Sequence, residues 1–251
     1  MTHKQPLFII LLGMILLSSC NLPADTVTPS VASPAPSTAT QTPPEPATPT
    51  QTFTPAPTFT PTPYPMYYTE DFNSDLGAWD TFQTGGADSP AIKIENSLLR
   101  IDIPSPNTWY YMLGKAHEYS SVVISAKVDG APAGSIGLVC FYEPSLGWYE
   151  FNVASDGTYS VLLGQWLSAD IAQYTPLVTD VTGYLQPGSL NYEISMACDT
   201  NTLQLYVNGA LFRKLDVAPY GLVKGRVGLS TASFDEMPMT FTIDWVNVTE
   251  K

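Results

Sequence analysis

The sequence predicts an all-β, antiparallel two-sheet sandwich over residues 66–251, and three observations predict it. From Tyr67 onward, short runs rich in β-branched and aromatic residues recur, and turn residues separate them. No long stretch carries the 3.6-residue apolar period of a helix. Several runs alternate strictly, which points one face of each strand inward.

Taken in order, Val122, Ile124, Ala126 and Val128 form one inward row. Tyr149, Phe151 and Val153 form a second, which sends Trp148, Glu150 and Asn152 to the opposite face together. Leu203, Leu205 and Val207 form a third and run into Asn208-Gly209, the residue pair of a type I′ hairpin turn. Asp156-Gly157 is expected to play the same part between Val153 and Thr158. Residues Trp166 to Tyr184 break the pattern and read as a long loop with a helical turn at Leu167 to Ile171.

Two segments precede the domain. Residues 1–19 carry Lys4 and then an apolar run from Leu7 to Leu17, which is signal-peptide length and short of the about 20 apolar residues an unaided membrane helix needs. The run ends in Leu17-Ser18-Ser19-Cys20, which resembles the lipobox of bacterial lipoproteins. That resemblance implies acylation of the Cys20 sulfur, cleavage before Cys20, and attachment to the extracytoplasmic face of a cell membrane. Residues 20–65 then hold most of the chain's 23 prolines, alternating with threonine as in Thr54-Pro55-Ala56-Pro57-Thr58. Proline removes backbone donors, and this segment lacks aliphatic clusters, so a disordered, extended spacer is expected. Its reach is at most roughly 140 Å.

A net charge of −13 argues against nucleic acid, whose phosphates call for a basic stripe. Lys93, Arg100, Lys115, Lys127, Arg213, Lys214, Lys224 and Arg226 are scattered. With Cys20 set aside, Cys140 and Cys198 remain, and an even remainder in an exported domain points to a disulfide between distant strands. Two free thiols or a metal pair are the alternatives, and without histidine partners two cysteines make a poor zinc site.

A family resemblance rests on an ordered set: Glu70-Asp71-Phe72, Trp79, Gly137-Leu138-Val139, Tyr149-Glu150-Phe151, Asp156-Gly157-Thr158-Tyr159, Val207-Asn208-Gly209, Gly225-Arg226-Val227-Gly228-Leu229 and Phe241-Thr242-Ile243-Asp244-Trp245-Val246. In this order the chain resembles the concanavalin A-like, laminin-G-like jelly rolls, and among them the bacterial domains named for 3-keto-disaccharide hydrolases. The resemblance implies first and last strands lying together, with Asp71 near Asp244, and a sugar or glycosylated surface as partner. It also implies a structural calcium in some relatives, with Asp71 and Asp244 as the candidate ligands here, and glycoside cleavage in others. Where relatives carry an arginine after the strand matching Gly137 to Phe141, this chain has Tyr142.

Sugar sites present flat aromatic faces and planar polar groups. Trp148, Glu150 and Asn152 are the leading candidates, with Tyr142, Trp109, Tyr111 and Trp166 expected to border the same concave sheet. A glycosidase needs two carboxylates flanking the bond, and no strand carries an i, i+2 acid pair. Glu150 is the one acid that a catalytic reading would use. No nucleophile elbow, phosphate loop or histidine cluster is present. Three readings follow: a carbohydrate-binding or adhesive module, a hydrolase of the resembling family, and a structural or protein-interaction domain without sugar binding.

Overall fold

The computed structural model describes residues 63–130 and 133–251. The signal peptide, Cys20 and nearly all of the Pro/Thr-rich spacer lie outside the described residues. The domain is an antiparallel two-sheet jelly-roll sandwich, as expected.

The first sheet has eight strands. Along its main path lie β13 (Ala210–Asp216), β12 (Thr202–Val207), β11 (Tyr192–Asp199), β6 (Ser121–Gly130), β15 (Met239–Thr249), β4 (Leu98–Ile103) and β3 (Ala91–Glu95). The short β1 (Tyr68–Glu70) pairs with the end of β15, Glu70 opposite Val246, so the first and last strands do lie together. The second sheet has seven: β10 (Ile171–Val181), β9 (Thr158–Ser168), β8 (Gly147–Ala154), β7 (Ser135–Glu143), β14 (Arg226–Ala232), β5 (Thr108–Gly114) and β2 (Trp79–Gly85).

The inward rows meet as the alternation predicts. Val122, Ile124, Ala126 and Val128 of β6 and Leu203, Leu205 and Val207 of β12 face Tyr149, Phe151 and Val153 of β8 in one core. Burying such side chains contributes about 1.5–3 kcal/mol each, and this core is the main source of stability. Cys140 of β7 is bonded to Cys198 of β11, their Cα atoms 6.6 Å apart, so the disulfide joins the two sheets across the core. Closing its 58-residue separation contributes about 4 kcal/mol in the chain-entropy account.

Asn208 and Gly209 both adopt positive φ, 49° and 77°, as the type I′ turn requires. Asp156-Gly157 does not repeat them. There only Gly157 is left-handed (φ 85°), and Asp156 instead uses Oδ1 to accept the Thr158 backbone N–H at 2.9 Å. The larger correction is Trp166 to Tyr184. This stretch is neither loop nor helical turn, because β9 runs through Ser168 and β10 pairs back along it, Tyr174 opposite Gly164 and Thr179 opposite Ser160. Asp170 makes the turn at φ 64°, and Pro176 is tolerated because β10 is an edge strand.

Candidate functional site

The second sheet curls until its two edges approach each other over its outer face. Thr84 of β2 and Tyr174 of β10 come from opposite edges, yet their hydroxyl oxygens are 2.6 Å apart. Trp109 of β5 stacks on Tyr174 with ring centroids 5.6 Å apart. The edges share no ladder, so side chains alone close the seam.

Trp148, Glu150 and Asn152 project onto this curled face together, as alternation requires. They are not exposed: Trp148 and Glu150 are 0 % exposed and Asn152 5 %. The expectation of an accessible Trp148 platform is therefore corrected. Phe82 lies 5.6 Å from its ring, Tyr111 5.5 Å, Tyr142 5.6 Å and Trp166 5.4 Å, centroid to centroid. These aromatics fill the hollow of the curl as a second, smaller core. Gly164, opposite Trp148, makes it fit, since a Cβ there would lie 2.3 Å from the indole. Tyr142 and Tyr111 are likewise buried, while Trp109 and Trp166 are half-buried. Tyr142, which stands where the resemblance led to an arginine, lies in β7 opposite Arg226 of β14, whose guanidinium is 5.2 Å from the Tyr142 ring and bonded to Asp80 at 2.6 Å.

Glu150 sits at the middle of this face. Oε2 accepts from Tyr111 Oη at 2.8 Å and Trp148 Nε1 at 3.4 Å, and Oε1 accepts from Asn152 Nδ2 at 2.9 Å. Asn152 Oδ1 in turn accepts from Ser230 Oγ at 3.1 Å. Tyr111 Oη and Tyr174 Oη are 3.0 Å apart. Each hydroxyl carries one proton, so with Tyr111's on the carboxylate, Tyr174 donates to Tyr111 and Thr84 to Tyr174. The result is a chain of hydroxyls from the seam to the carboxylate, each polarising the next. No ion pair reaches Glu150 among the described residues. Burial raises its carboxyl above the usual range despite the donors. Burial likewise pushes the Tyr174 phenol up to about 12, and Tyr111 is raised well above its ordinary value, first by burial and then by the Glu150 charge.

Beyond this belt the same face changes character. Toward the other end of the strands the side chains are mostly small or polar, with Leu162 among them, and there the curl stays open as a groove of about 300 Å³. Asn152 and Ser135 lie in its lining with Ser160 and Thr179, and Trp109 and Phe234 supply aromatic surface. Phe234 is held in place by its neighbour Ser233, whose Oγ accepts the Thr108 N–H at 3.1 Å and donates to Ser105 O at 2.7 Å. Around Ala154, Asp156 and Phe234 the groove continues into a second of about 510 Å³, bordered by Gly134, Ser155, Pro187, Asp235 and Glu236. Ser135, Ser160, Thr179, Phe234, Phe82 and Tyr174 escaped the sequence reading. The i, i+2 partners Phe82 and Thr84, and Ala172 and Tyr174, are the signals that mark those strands.

Asp71 and Asp244 are both exposed. Among the described residues no group of three or more His, Cys, Asp or Glu side chains comes within metal-holding reach, so any calcium there would rely on backbone and solvent oxygens. No described helix is long and apolar enough to cross a membrane.

No family model matches the sequence, and no curated protein matches it either. Solved structures do resemble it. The Bacillus licheniformis beta-glucanase shares 10% identity over 74% of this chain and 98% of its own, at a TM-score of 0.53. The carbohydrate-binding module CBM66 from Bacillus subtilis shares 13% over 69% and 98%, at 0.50. A Bacillus subtilis protein of unknown function with a galectin-like fold shares 15% over 74% and 98%, at 0.52. At such identities the likeness is one of fold alone, the curled two-sheet jelly-roll sandwich that these structures share with this chain.

Proposed function

We propose that the chain is a carbohydrate-binding lipoprotein, anchored through Cys20 outside the cytoplasm, whose sandwich holds polysaccharide in the groove beside Trp109 and Asn152. The observation that carries this is the division of one face into a filled aromatic half and an open half lined by hydroxyls, an amide and two aromatic surfaces. That lining is what sugar hydroxyls and the C–H faces of a pyranose require. Solved neighbours include proteins described as a glucanase and a carbohydrate-binding module, which supports a glycan as the partner.

The geometry favours retention over hydrolysis, and with it disfavours the activity of the 3-keto-disaccharide hydrolases. Glu150 is sealed and already accepts three hydrogen bonds, and its i−2 and i+2 neighbours are Trp148 and Asn152, where a glycosidase would place a second carboxylate. The disulfide fits an exported domain.

The test is retention on a panel of insoluble and immobilised polysaccharides by the full-length chain, with Trp109→Ala, Asn152→Ala and, as control, Trp245→Ala on the other sheet. Loss in the first two variants alone is expected. Retention untouched by either groove substitution contradicts the site, and retention of no glycan by the unaltered chain points to a protein-interaction domain.

A further inference from the structure

Resting on the sugar-binding reading, a second property concerns the charge of the ligand. Every charged side chain bordering the two connected grooves is acidic: Asp156, Asp235 and Glu236. None of the three forms an ion pair among the described residues, although Asp80, Glu95, Asp102, Glu118 and Asp199 elsewhere all do. No Lys or Arg lines either groove, and Arg213 of β13 comes within electrostatic reach of Tyr159, whose ring packs into the core behind β9. Lys115 and Arg226 sit at the opposite end of the curled sheet, and Lys93, Arg100, Lys127, Arg213 and Lys214 belong to the eight-stranded sheet. Segregation of this kind creates a one-signed field at the mouth of a low-dielectric groove, where it acts most strongly on an entering ligand.

The groove also holds polar capacity that the described residues leave unused. Ser135 is 6 % exposed and lines the groove, and its hydroxyl makes no hydrogen bond to any described residue. Thr158 holds the Asp156 carboxyl below the usual range by hydrogen bonding to Oδ1, which keeps it ionised and leaves Oδ2 to a ligand. Trp109 and Phe234 add ring faces that attract a cation.

We infer that the groove selects an amine-bearing glycan, a hexosamine chain with free amino groups, over its N-acetylated counterpart, and rejects uronate or sulfate polymers. The ammonium meets rim carboxylates and ring faces, the hydroxyls meet Ser135 and Asn152, and an anionic sugar meets only like charge.

The measurement is binding of the full-length chain to chitosan oligosaccharide, to chitin oligosaccharide of equal length, and to alginate oligosaccharide, at low and high salt. About tenfold tighter binding of the amine-bearing chain is expected. That preference should shrink to about twofold in the Asp235→Asn/Glu236→Gln double variant and at high salt, and no binding of the uronate chain is expected. These rim substitutions change charge and not the core, so circular dichroism should be unaltered. Equal affinity for the free and acetylated amines overturns the charge selection while leaving sugar binding intact, as does any affinity for the uronate. Binding of none of the three, together with no retention on the polysaccharide panel, overturns both.

Discussion

The two sheets are built from the same kinds of residue and handle their second faces in opposite ways. In the eight-stranded sheet, β4, β6, β12 and β15 alternate buried with exposed or half-exposed positions, and the outer row carries groups such as Arg100, Asp102, Lys127 and Thr240. That is the common pattern of an antiparallel sheet with one wet face. In the seven-stranded sheet, β7, β8 and β14 are buried on both faces almost throughout. Among the described residues no third layer covers them. The sheet covers itself by curling, β10 meeting β2 at the Thr84–Tyr174 contact, and aromatics fill the hollow. The lesson is that a strand's outward row need not be a surface, so an outward aromatic belongs to a ligand site only where the curl stays open.

The largest expected effect tests that contrast directly. Trp148→Ala removes a fully buried indole and should cost about 3–5 kcal/mol of stability, whereas Trp245→Ala on the outer face of the eight-stranded sheet should cost about 1 kcal/mol or less, both by denaturant unfolding. Comparable small losses would mean that the second face is not packed as a core.

A pH effect of intermediate size sharpens the role of Glu150. Its folded carboxyl is raised above its unfolded value, so the folded state holds the proton more tightly. Its contribution is therefore most favourable below the ordinary carboxylate range and is lost as pH rises through the raised value. Glu150→Gln should abolish that part of the pH dependence and leave stability at neutral pH unchanged or improved. A glutamine keeps an acceptor toward Tyr111 and Trp148, and Asn152 can flip its amide, because the Ser230 hydroxyl both donates and accepts. An unaltered melting-temperature profile between about pH 4 and pH 8 in the variant would contradict this.

Much of this was legible in the sequence and part was not, for physical reasons. The inward rows of β6, β8 and β12 followed from alternation, the Asn208-Gly209 turn from its need for positive φ, and the Cys140–Cys198 bridge from an even cysteine remainder. Alternation also put Trp148, Glu150 and Asn152 on one face, but alternation is local and says nothing about what covers that face. The cover comes from β2 and β10, and Thr84 and Tyr174 are 90 residues apart. The β9–β10 hairpin was missed because its turn at Asp170 lacks the Asn-Gly or Asp-Gly pair, and Pro176 interrupts the second strand. Ser135, Ser160 and Thr179 carry no local mark of a groove, and only the topology gathers them.

The smallest effect concerns the seam. Tyr174→Phe removes the hydroxyl between Thr84 and Tyr111 and should cost about 1 kcal/mol, read as faster hydrogen exchange in β10 with β6 unchanged. Uniform change in both sheets would show that the seam is not a separate element.

The most direct test of the central claim is side-chain NMR during titration with the oligosaccharide that binds best, following the indole N–H of Trp109 and Trp148 and the amide of Asn152. Shifts at Trp109 and Asn152 with Trp148 still are expected, because the open half holds the sugar and the filled half stays shut. A large shift at Trp148 with Trp109 unmoved would contradict the account and return the site to the aromatic half.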